Sequence, residues 1–294
     1  MRITLGMLAQ TTLNNMEANM GRINDLEGQI SSGTRISKPS DDPIGTAQAL
    51  SFQEGIDQST QYLTNIDQAQ GWLNTTDSTL GAVTDAIQRA RELAVQSASE
   101  TVSASDRQAI DTEVQQLQQQ VLGLSQAKYG ASYLFSGTKS DAPGYTQAQP
   151  SSVAGAYVGN DAPVQRQIAP GETVGVNADA RSTFDPVFTA LNNLQAGLAS
   201  SITTAIQSSI NDMDTALTAV LATRARIGAK TNRLDSQQQR MSSVQLSMRG
   251  LLSSDKDVDM AQAITQFSMA QTVYQASLQA GAKAMQPSLL DYLK

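Results

Sequence analysis

The chain contains no cysteine and no histidine among its 294 residues. Without cysteine it cannot form a disulfide or use a thiolate nucleophile, and without histidine it excludes Ser-His catalytic triads and zinc sites with histidine ligands. Aromatic residues make up only 4% of the chain, although hydrophobic residues reach 40%. A wide globular core is therefore poorly supplied, and the composition favours long helices packed along narrow seams.

Clusters of positive charge and long apolar runs are lacking as well. The net charge is −7 and no run of lysine or arginine occurs, which argues against a nucleic-acid partner. No stretch approaches the ~20 apolar residues that span a bilayer, so no membrane partner is predicted. The first residues lack the apolar core of a secretory signal peptide, and we expect no Sec-type export.

The few acidic groups that suggest chemistry have simpler structural interpretations. Asp41 and Asp42 are adjacent on a turn and point in different directions, which favours helix capping over shared-proton catalysis. Asp255, Asp257 and Asp259 lack the glycine and terminal glutamate of a calcium loop, and are interpreted as first-turn helix acids. Glycine-rich phosphate loops are absent. The sequence therefore predicts no enzyme, no metal and no cofactor.

Apolar residues recur at helical spacing through the first half of the chain. A first helix is expected over about residues 5–30, ending at the helix-breaking residues 31–34. A second helix is predicted to begin at Pro43 with Asp42 as its cap. It carries one heptad run, and a second run follows a polar break at residues 97–105. The first run is Ile66, Leu73, Leu80 and Ile87, and the second is Ile110, Val114, Leu117, Val121 and Leu124.

The character of the sequence changes after Tyr129. The following residues are rich in glycine, proline, serine and aspartate, and contain short alternating apolar runs between turn residues. We predict a small β-rich domain over residues 137–185, inserted between helices. It is too small and too polar to hold a large core.

The second half of the chain is predicted to be helical again. Asp185 and Pro186 repeat the Asp-Pro pattern and are expected to start the next helix, the longest of the chain, with a seam over residues 206–248. A break is expected at residues 253–255, and Asp259 should cap the last helix. Polar residues on the long seam are expected to set the register, namely Arg224, Thr231, Gln238 and Gln245.

Both ends of the chain carry an apolar stripe that must bury against another helix, because a lone helix cannot offset its ordering entropy. The candidate interface residues of the N-terminal helix are Leu5, Leu8, Leu13, Met16, Met20 and Ile23. Those of the C-terminal helix are Ile264, Phe267, Tyr274, Leu278 and Leu290. The pattern alone allows two interpretations: edges of one intramolecular bundle, or contacts with other subunits.

Residues 29–43 resemble the N-terminal signature of the flagellin superfamily. The resemblance continues over residues 61–66 and 91–96, and resumes at residues 259–265 and 288–293. The signature turn within the first segment consists of Arg35, Pro39, Ser40, Asp41, Asp42 and Pro43.

The resemblance implies a mainly α fold: an elongated antiparallel helical bundle or coiled coil with paired N- and C-terminal helices and a small inserted β-rich domain. Residues 1–40 and 255–294 would form the terminal assembly domain, the inner layer of a tube. Residues 41–136 and 186–254 would form a helical rod. The β-rich residues 137–185 would lie outward.

Residues 133–139 and the signature turn are similar to those of the junction proteins of this superfamily. This implies a structural adaptor between hook and filament, working as a ring of about eleven copies. Its partners would be copies of itself, the adjacent hook-associated junction protein, flagellin and a flagellar export chaperone. The protein would be secreted through the flagellar type III system, and its terminal helices would fold on assembly. The alternatives are filament flagellin and, in a different class, a signalling coiled-coil rod.

Overall fold

The computed structural model describes residues 5–99, 101–146 and 156–284, and the fold is mainly α. This part of the chain forms six helices: α1 (Leu5–Ser32), α2 (Pro43–Ser97), α3 (Ala104–Ser125), α4 (Ala180–Ser200), α5 (Thr203–Lys256) and α6 (Met260–Ala284). None of these helices has both the length and the apolar character needed to cross a membrane.

Short strands lie between α3 and α4 and pair as three antiparallel two-stranded sheets. They are β1 (Lys128–Tyr129), β2 (Ser132–Tyr133), β3 (Tyr145–Thr146), β4 (Ala156–Tyr157), β5 (Gln165–Ala169) and β6 (Glu172–Gly175). The first strand precedes the predicted boundary at residue 137, and a helix already occupies the last predicted residues. Because isolated two-stranded sheets are marginally stable, these hairpins depend on the helices that they contact.

The chain forms two compact units. Residues 1–58 and 244–294 make up the first unit, and residues 59–243 make up the second. Helices α1 and α6 belong to the first unit, whereas α3, α4 and the strands belong to the second. The predicted division into assembly, rod and outer domains stays a prediction about the assembled protein.

The heptad runs form much of the core of the second unit. Ile66, Leu73, Leu80 and Ile87 of α2 are all fully buried. In α3, Val114 and Val121 are fully buried, Ile110 is nearly so, and Leu117 and Leu124 pack partly buried against the same core. Both predicted runs are therefore confirmed, since the apolar stripe of each helix turns away from water.

Polar side chains join α2 to α5 in an antiparallel register within the second unit. Arg224 donates from Nε to Asp77 Oδ1 at 2.9 Å, and Gln238 donates to Asp67 Oδ1 at 2.7 Å. Two further bonds have the same register, Gln70 to Asp235 and Arg91 to Asp214, each at 2.7 Å. Arg224 and Gln238 are two of the predicted register-setting residues, and each bonds across to α2. Such bonds favour one alignment of two long helices over its slipped alternatives.

The predicted helix start at Asp185 and Pro186 is wrong. Helix α4 begins at Ala180, and Asp179 is its N-cap because the Asp179 side chain accepts the amide of Ser182 at 3.3 Å. Pro186 lies inside the helix. Asp185 is occupied elsewhere, since its Oδ1 accepts the hydroxyl of Tyr145 at 2.7 Å.

The predicted extent of α5 also needs correction. Ser201 adopts a left-handed conformation with φ 52° and closes α4, so a separate helix starts at Thr203. At 54 residues α5 is one residue shorter than α2, so it is not the longest helix. The break expected at residues 253–255 is absent, because α5 continues to Lys256. Ser254 is accommodated there by donating its hydroxyl to the carbonyl of Leu251 at 2.8 Å.

Candidate assembly interface

Helices α1 and α6 pack against each other in antiparallel orientation, which confirms the predicted pairing of the two ends. Backbone hydrogen bonds join the segment that follows α1 to the segment between α5 and α6. The amide of Arg35 donates to the carbonyl of Lys256 at 2.7 Å, and the amide of Val258 donates to the carbonyl of Gly33 at 3.1 Å. Gly33 has φ 70°, and this left-handed residue ends α1 as predicted.

The seam between the two helices sets mostly large apolar side chains of α1 against mostly small residues of α6. Its α1 members, all buried or half-buried, are Thr12, Met16, Asn19, Ile23, Leu26 and Ile30. Its α6 members recur in steps of four and three, and are Ala263, Phe267, Ala270, Tyr274, Ser277 and Gly281. Small residues let two helices approach closely but remove little apolar surface from water. The small residues of α6 therefore limit the stability that the pair gains from its own seam.

Further apolar side chains of both helices lie outside this seam, on either side of it. We call these exposed residues of α1 and α6 the outer stripe; each of them is between 41% and 62% exposed. The outer stripe consists of Met7, Leu13, Met20, Met260, Ile264, Met269, Val273 and Leu278. Single exposed apolar residues are normal, but so many on one helix pair indicate a surface that meets another molecule.

The structure divides the predicted interface residues between the two surfaces. Met16, Ile23, Phe267 and Tyr274 lie on the seam, whereas the remaining described ones lie on the outer stripe. The latter are Leu13, Met20, Ile264 and Leu278. Leu5 and Leu8 lie in α1, but their side chains, like the whole of Leu290, fall outside what the structure describes.

Sequence reasoning missed Met7, Met260, Met269 and Val273 of the outer stripe. It followed one stripe per helix, and these residues lie beside that stripe rather than on it. A count of apolar residues on both sides of the seam would have found them, because a helix with one partner needs only one apolar face.

A groove of about 260 Å³ opens between the outer stripe and the seam of the same pair. It is lined by Asn19, Arg22 and Leu26 of α1 and by Gln266, Met269, Ala270 and Val273 of α6. Four of these seven lining residues are apolar, so the groove can receive an apolar side chain from another molecule.

Helix α6 is almost free of charge. Residues 260–282 contain no aspartate, glutamate, lysine or arginine, and Lys283 is the first charged residue of this helix. Its polar positions are occupied by glutamine, serine and threonine, which form hydrogen bonds without long-range repulsion. A second copy of the helix can therefore approach it without a like-charge penalty.

The signature turn is held to the end of α5 by Arg35. The guanidinium donates from Nη1 to Asp42 Oδ2 at 3.2 Å and from Nη2 to the backbone carbonyl of Asp255 at 2.7 Å. Asp255 lies in the last turn of α5, where free carbonyls carry partial negative charge that favours a cation. One side chain thus joins the start of α2 to the end of α5.

Asp42 caps α2 as the sequence predicts. Its Oδ1 accepts the amide of Gly45 at 2.9 Å, and Pro43 occupies the first helical position. Gly45 is needed for this packing, since a Cβ there would lie 2.5 Å from Asp42 Oδ2 and 2.7 Å from Ile36 Cδ1. The amide of Gly45 and the guanidinium of Arg35 hold the pKa of Asp42 below its usual value of 3.8.

Asp41 closes the other side of the turn. Its Oδ2 accepts the amide of Lys38 at 2.9 Å, and the amide and hydroxyl of Ser37 at 3.2 and 3.1 Å. These bonds, that of Lys38 first, lower the pKa of Asp41 from 3.8. Pro39 and Ser40 form the exposed tip. The carboxylates of Asp41 and Asp42 thus have separate partners, as expected for caps rather than a shared-proton pair.

The interpretation of Asp255, Asp257 and Asp259 as first-turn helix acids holds for one of them only. Asp259 caps α6, because its Oδ1 accepts the amides of Ala261 and Gln262 at 3.0 and 3.1 Å. Asp255 instead lies in the last turn of α5, and Asp257 lies between the two helices. Across the described ranges, no three acidic residues gather where they could hold a metal ion.

Two family models match the chain. The bacterial flagellin N-terminal helical region matches residues 3–140, and the bacterial flagellin C-terminal helical region matches residues 210–293. The two matches together extend over well more than half of the chain. They include the helices that carry the seam, the outer stripe and the signature turn.

Individual relatives agree with this match. Flagellar hook-associated protein 3 of Escherichia coli strain K12 is 28% identical over 95% of this chain and 96% of that protein. A flagellin of Halalkalibacterium halodurans is 29% identical over 92% of this chain and 93% of that protein. The crystal structure of Bacillus cereus FlgL has a TM-score of 0.60 at 20% identity, covering 69% of this chain and 99% of that chain, which shows the same fold. The chain belongs to the bacterial flagellin family and is a structural protein of the bacterial flagellum.

Proposed function

We propose that this chain is the adaptor that joins the flagellar hook to the flagellin filament, and that it acts by coupled folding and assembly of its terminal helices. The resemblance of the signature turn to that of junction proteins supports this proposal. So does the similarity to a hook-associated protein over nearly the full length of both chains. The chain would then be secreted through the flagellar type III system and would act outside the cell.

The outer stripe is the observation that carries the proposal. In a single chain these side chains stay exposed to water although the helices that bear them are paired. Burying a large aliphatic side chain contributes about 1.5–3 kcal/mol. Neighbouring subunits that cover the outer stripe would therefore add stability to the paired helices.

The partners follow from this arrangement. The uncharged surface of α6 suits close packing of identical helices in a ring of about eleven copies. One edge of that ring would meet the adjacent hook-associated junction protein and the other would meet flagellin. Before export, a chaperone would cover the same apolar residues and prevent premature association.

Replacing two outer-stripe residues tests this function. Ile264→Ser with Leu278→Ser removes apolar surface from α6 without touching the seam. We expect the variant to restore neither incorporation at the hook tip nor swimming in cells that lack their own junction protein. The circular dichroism of the purified variant should match that of the parent protein. Full motility with this variant would refute the assignment of the outer stripe to assembly.

The matched control uses the second unit. Ile202 and Val158 are about as exposed as the outer-stripe residues but lie far along the chain from α1 and α6. The variant Ile202→Ser with Val158→Ser should incorporate normally. Alanine at Phe267 and Tyr274 is a less specific test, because these residues lie on the seam and their loss would also weaken the α1–α6 pair.

Filament flagellin is the second candidate, because a flagellin matches the chain as extensively as the hook-associated protein does. The two functions differ in self-assembly. A flagellin polymerises alone into long filaments, whereas an adaptor stays monomeric or forms short oligomers. Electron microscopy of the purified protein distinguishes them, and long filaments would overturn the adaptor assignment.

A further inference from the structure

We propose that oxidation of four exposed methionines, spread along the two terminal helices, controls whether a free subunit can assemble. They are Met7, Met20, Met260 and Met269. The oxidant is a peroxide, and the product is methionine sulfoxide. This inference rests on the proposed function, since it concerns the same outer stripe.

Methionine carries all the side-chain sulfur of this protein, because the chain has no cysteine. The described methionines differ sharply in their access to water. Met213 is fully buried in the second unit, and three others are half-buried: Met16, Met241 and Met248. The remaining four all lie on α1 or α6, and each belongs to the outer stripe.

Contacts explain why two half-buried thioethers of the first unit are shielded. A Cβ added to Gly55 would lie 2.6 Å from the sulfur of Met248, so that sulfur sits directly on the backbone of α2. Cε of Met16 packs in the same way onto Gly281, at 3.1 Å from the added Cβ. Both side chains fill a space made by a glycine, whereas the four exposed ones have an open side toward solvent.

The reaction needs only the thioether and the peroxide. A sulfur lone pair attacks one peroxide oxygen, an S–O bond forms and the O–O bond breaks. The sulfur is oxidised by two electrons, and the peroxide is reduced to water when its leaving oxygen takes up a proton. The product is reversible, because methionine sulfoxide reductases return the sulfoxide to the thioether.

Oxidation would change the outer stripe from an adaptable apolar surface into a polar one. Methionine fills irregular gaps well because it is unbranched and polarisable, which suits a subunit that meets unlike neighbours. A sulfoxide oxygen buried at a subunit contact would lack a hydrogen-bond donor and would oppose association. Met269 lines the groove beside Val273, where a neighbour's side chain would enter. Subunits already covered by neighbours would be protected, so oxidation acts on free subunits.

The test compares the parent protein with a variant that cannot be oxidised at these four positions. Full-length subunits are treated with dilute hydrogen peroxide, and their incorporation into isolated hooks that lack the junction subunit is measured. We expect incorporation of the treated parent to fall by about tenfold or more. The variant with Met7→Leu, Met20→Leu, Met260→Leu and Met269→Leu keeps an apolar surface, and peroxide should lower its incorporation by less than about twofold relative to the same variant left untreated.

Two controls keep the interpretation specific. Peptide mass spectrometry should show the four exposed methionines oxidised before Met213, and Met213→Leu should give no protection. Methionine sulfoxide reductase should restore incorporation of the treated parent. Normal incorporation of the oxidised parent would overturn this inference alone, as would an equal loss in the leucine variant. Failure of the untreated parent to incorporate would overturn the proposed function and this inference with it.

Discussion

Met16 packs directly onto Gly281, so that a Cβ added to Gly281 would lie 3.1 Å from Cε of Met16. Thr12 is equally close on the same side. This contact lies at the end of the α1–α6 pair opposite to the backbone bonds that fix it. It therefore helps to determine how closely the two helices approach at this end of the described pair.

Gly281→Leu should weaken this pair. The added side chain must displace Met16 or separate the helices, which costs about 1–3 kcal/mol. We expect amide hydrogen exchange in the C-terminal half of α6 to become about tenfold faster or more, as measured by mass spectrometry. Gly21→Leu is the matched control, because a Cβ at Gly21 meets nothing within 4 Å. Equal exchange in the two variants would contradict the packing argument.

Arg35→Ala should loosen the signature turn. The variant loses the bond to the carbonyl of Asp255 and the pair with Asp42, and the pair itself adds little because water reaches about a third or more of each side chain. A loss of about 1 kcal/mol is expected. It should appear as faster hydrogen exchange of the Val258 amide, which bonds across the same turn.

The control for that prediction is Arg249→Ala in α5, the helix whose last turn Arg35 contacts. Within the described part of the chain, the Arg249 side chain forms no hydrogen bond or ion pair, so its removal should leave the exchange of Val258 unchanged. If the two variants behave alike, general loss of positive charge is responsible rather than the contacts of Arg35.

The turn should weaken in acid. The pKa values of Asp41 and Asp42 are lowered in the folded chain from 3.8, so the unfolded chain binds protons first as the pH falls. The stabilisation from both groups is complete well above pH 3.8 and is lost as the pH falls below it through the folded values. Asp41→Asn with Asp42→Asn keeps side-chain oxygens for capping but removes the titration. Its thermal midpoint should depend less on pH in this range than that of the parent.

Tyr145→Phe should destabilise the second unit by about 1–2 kcal/mol, because it leaves the carboxylate of Asp185 without its donor. The ring of Tyr145 stays packed between Phe188 and Tyr157, so the loss is specific to the hydroxyl. Urea unfolding followed by circular dichroism measures the change. Tyr62→Phe is the control, since the Tyr62 hydroxyl has no hydrogen bond within the described residues. An equal effect of both variants would argue against a role for the Tyr145–Asp185 bond.

Local patterns sufficed to predict much of the fold. Ile66 and Leu80 are fully buried because a heptad repeat by itself defines which face of a helix turns inward. Asp42 and Asp259 cap their helices because capping depends on the residues that follow within one turn. These features need no knowledge of the distant chain.

Long-range contacts account for the failures. Asp185 resembles a cap, but a tyrosine forty positions earlier takes its carboxylate, and Asp179 caps the helix instead. The burial of individual residues in the terminal stripes could not be predicted from the sequence for the same reason. Leu13 and Met16 are apolar alike, and only the position of α6 determines that one is exposed and the other half-buried.

Among the described residues, backbone hydrogen bonds join the two terminal segments at one end of the α1–α6 pair, between residues 33–35 and 256–258. Separation of the helices should therefore begin near Gly281 and proceed toward the backbone hydrogen bonds, which break last. The backbone hydrogen bond from Arg35 to Lys256 would still be formed while the helices are apart. The two helices would then close again in the same register without a long search, because the loop between the bonded point and each contact stays short.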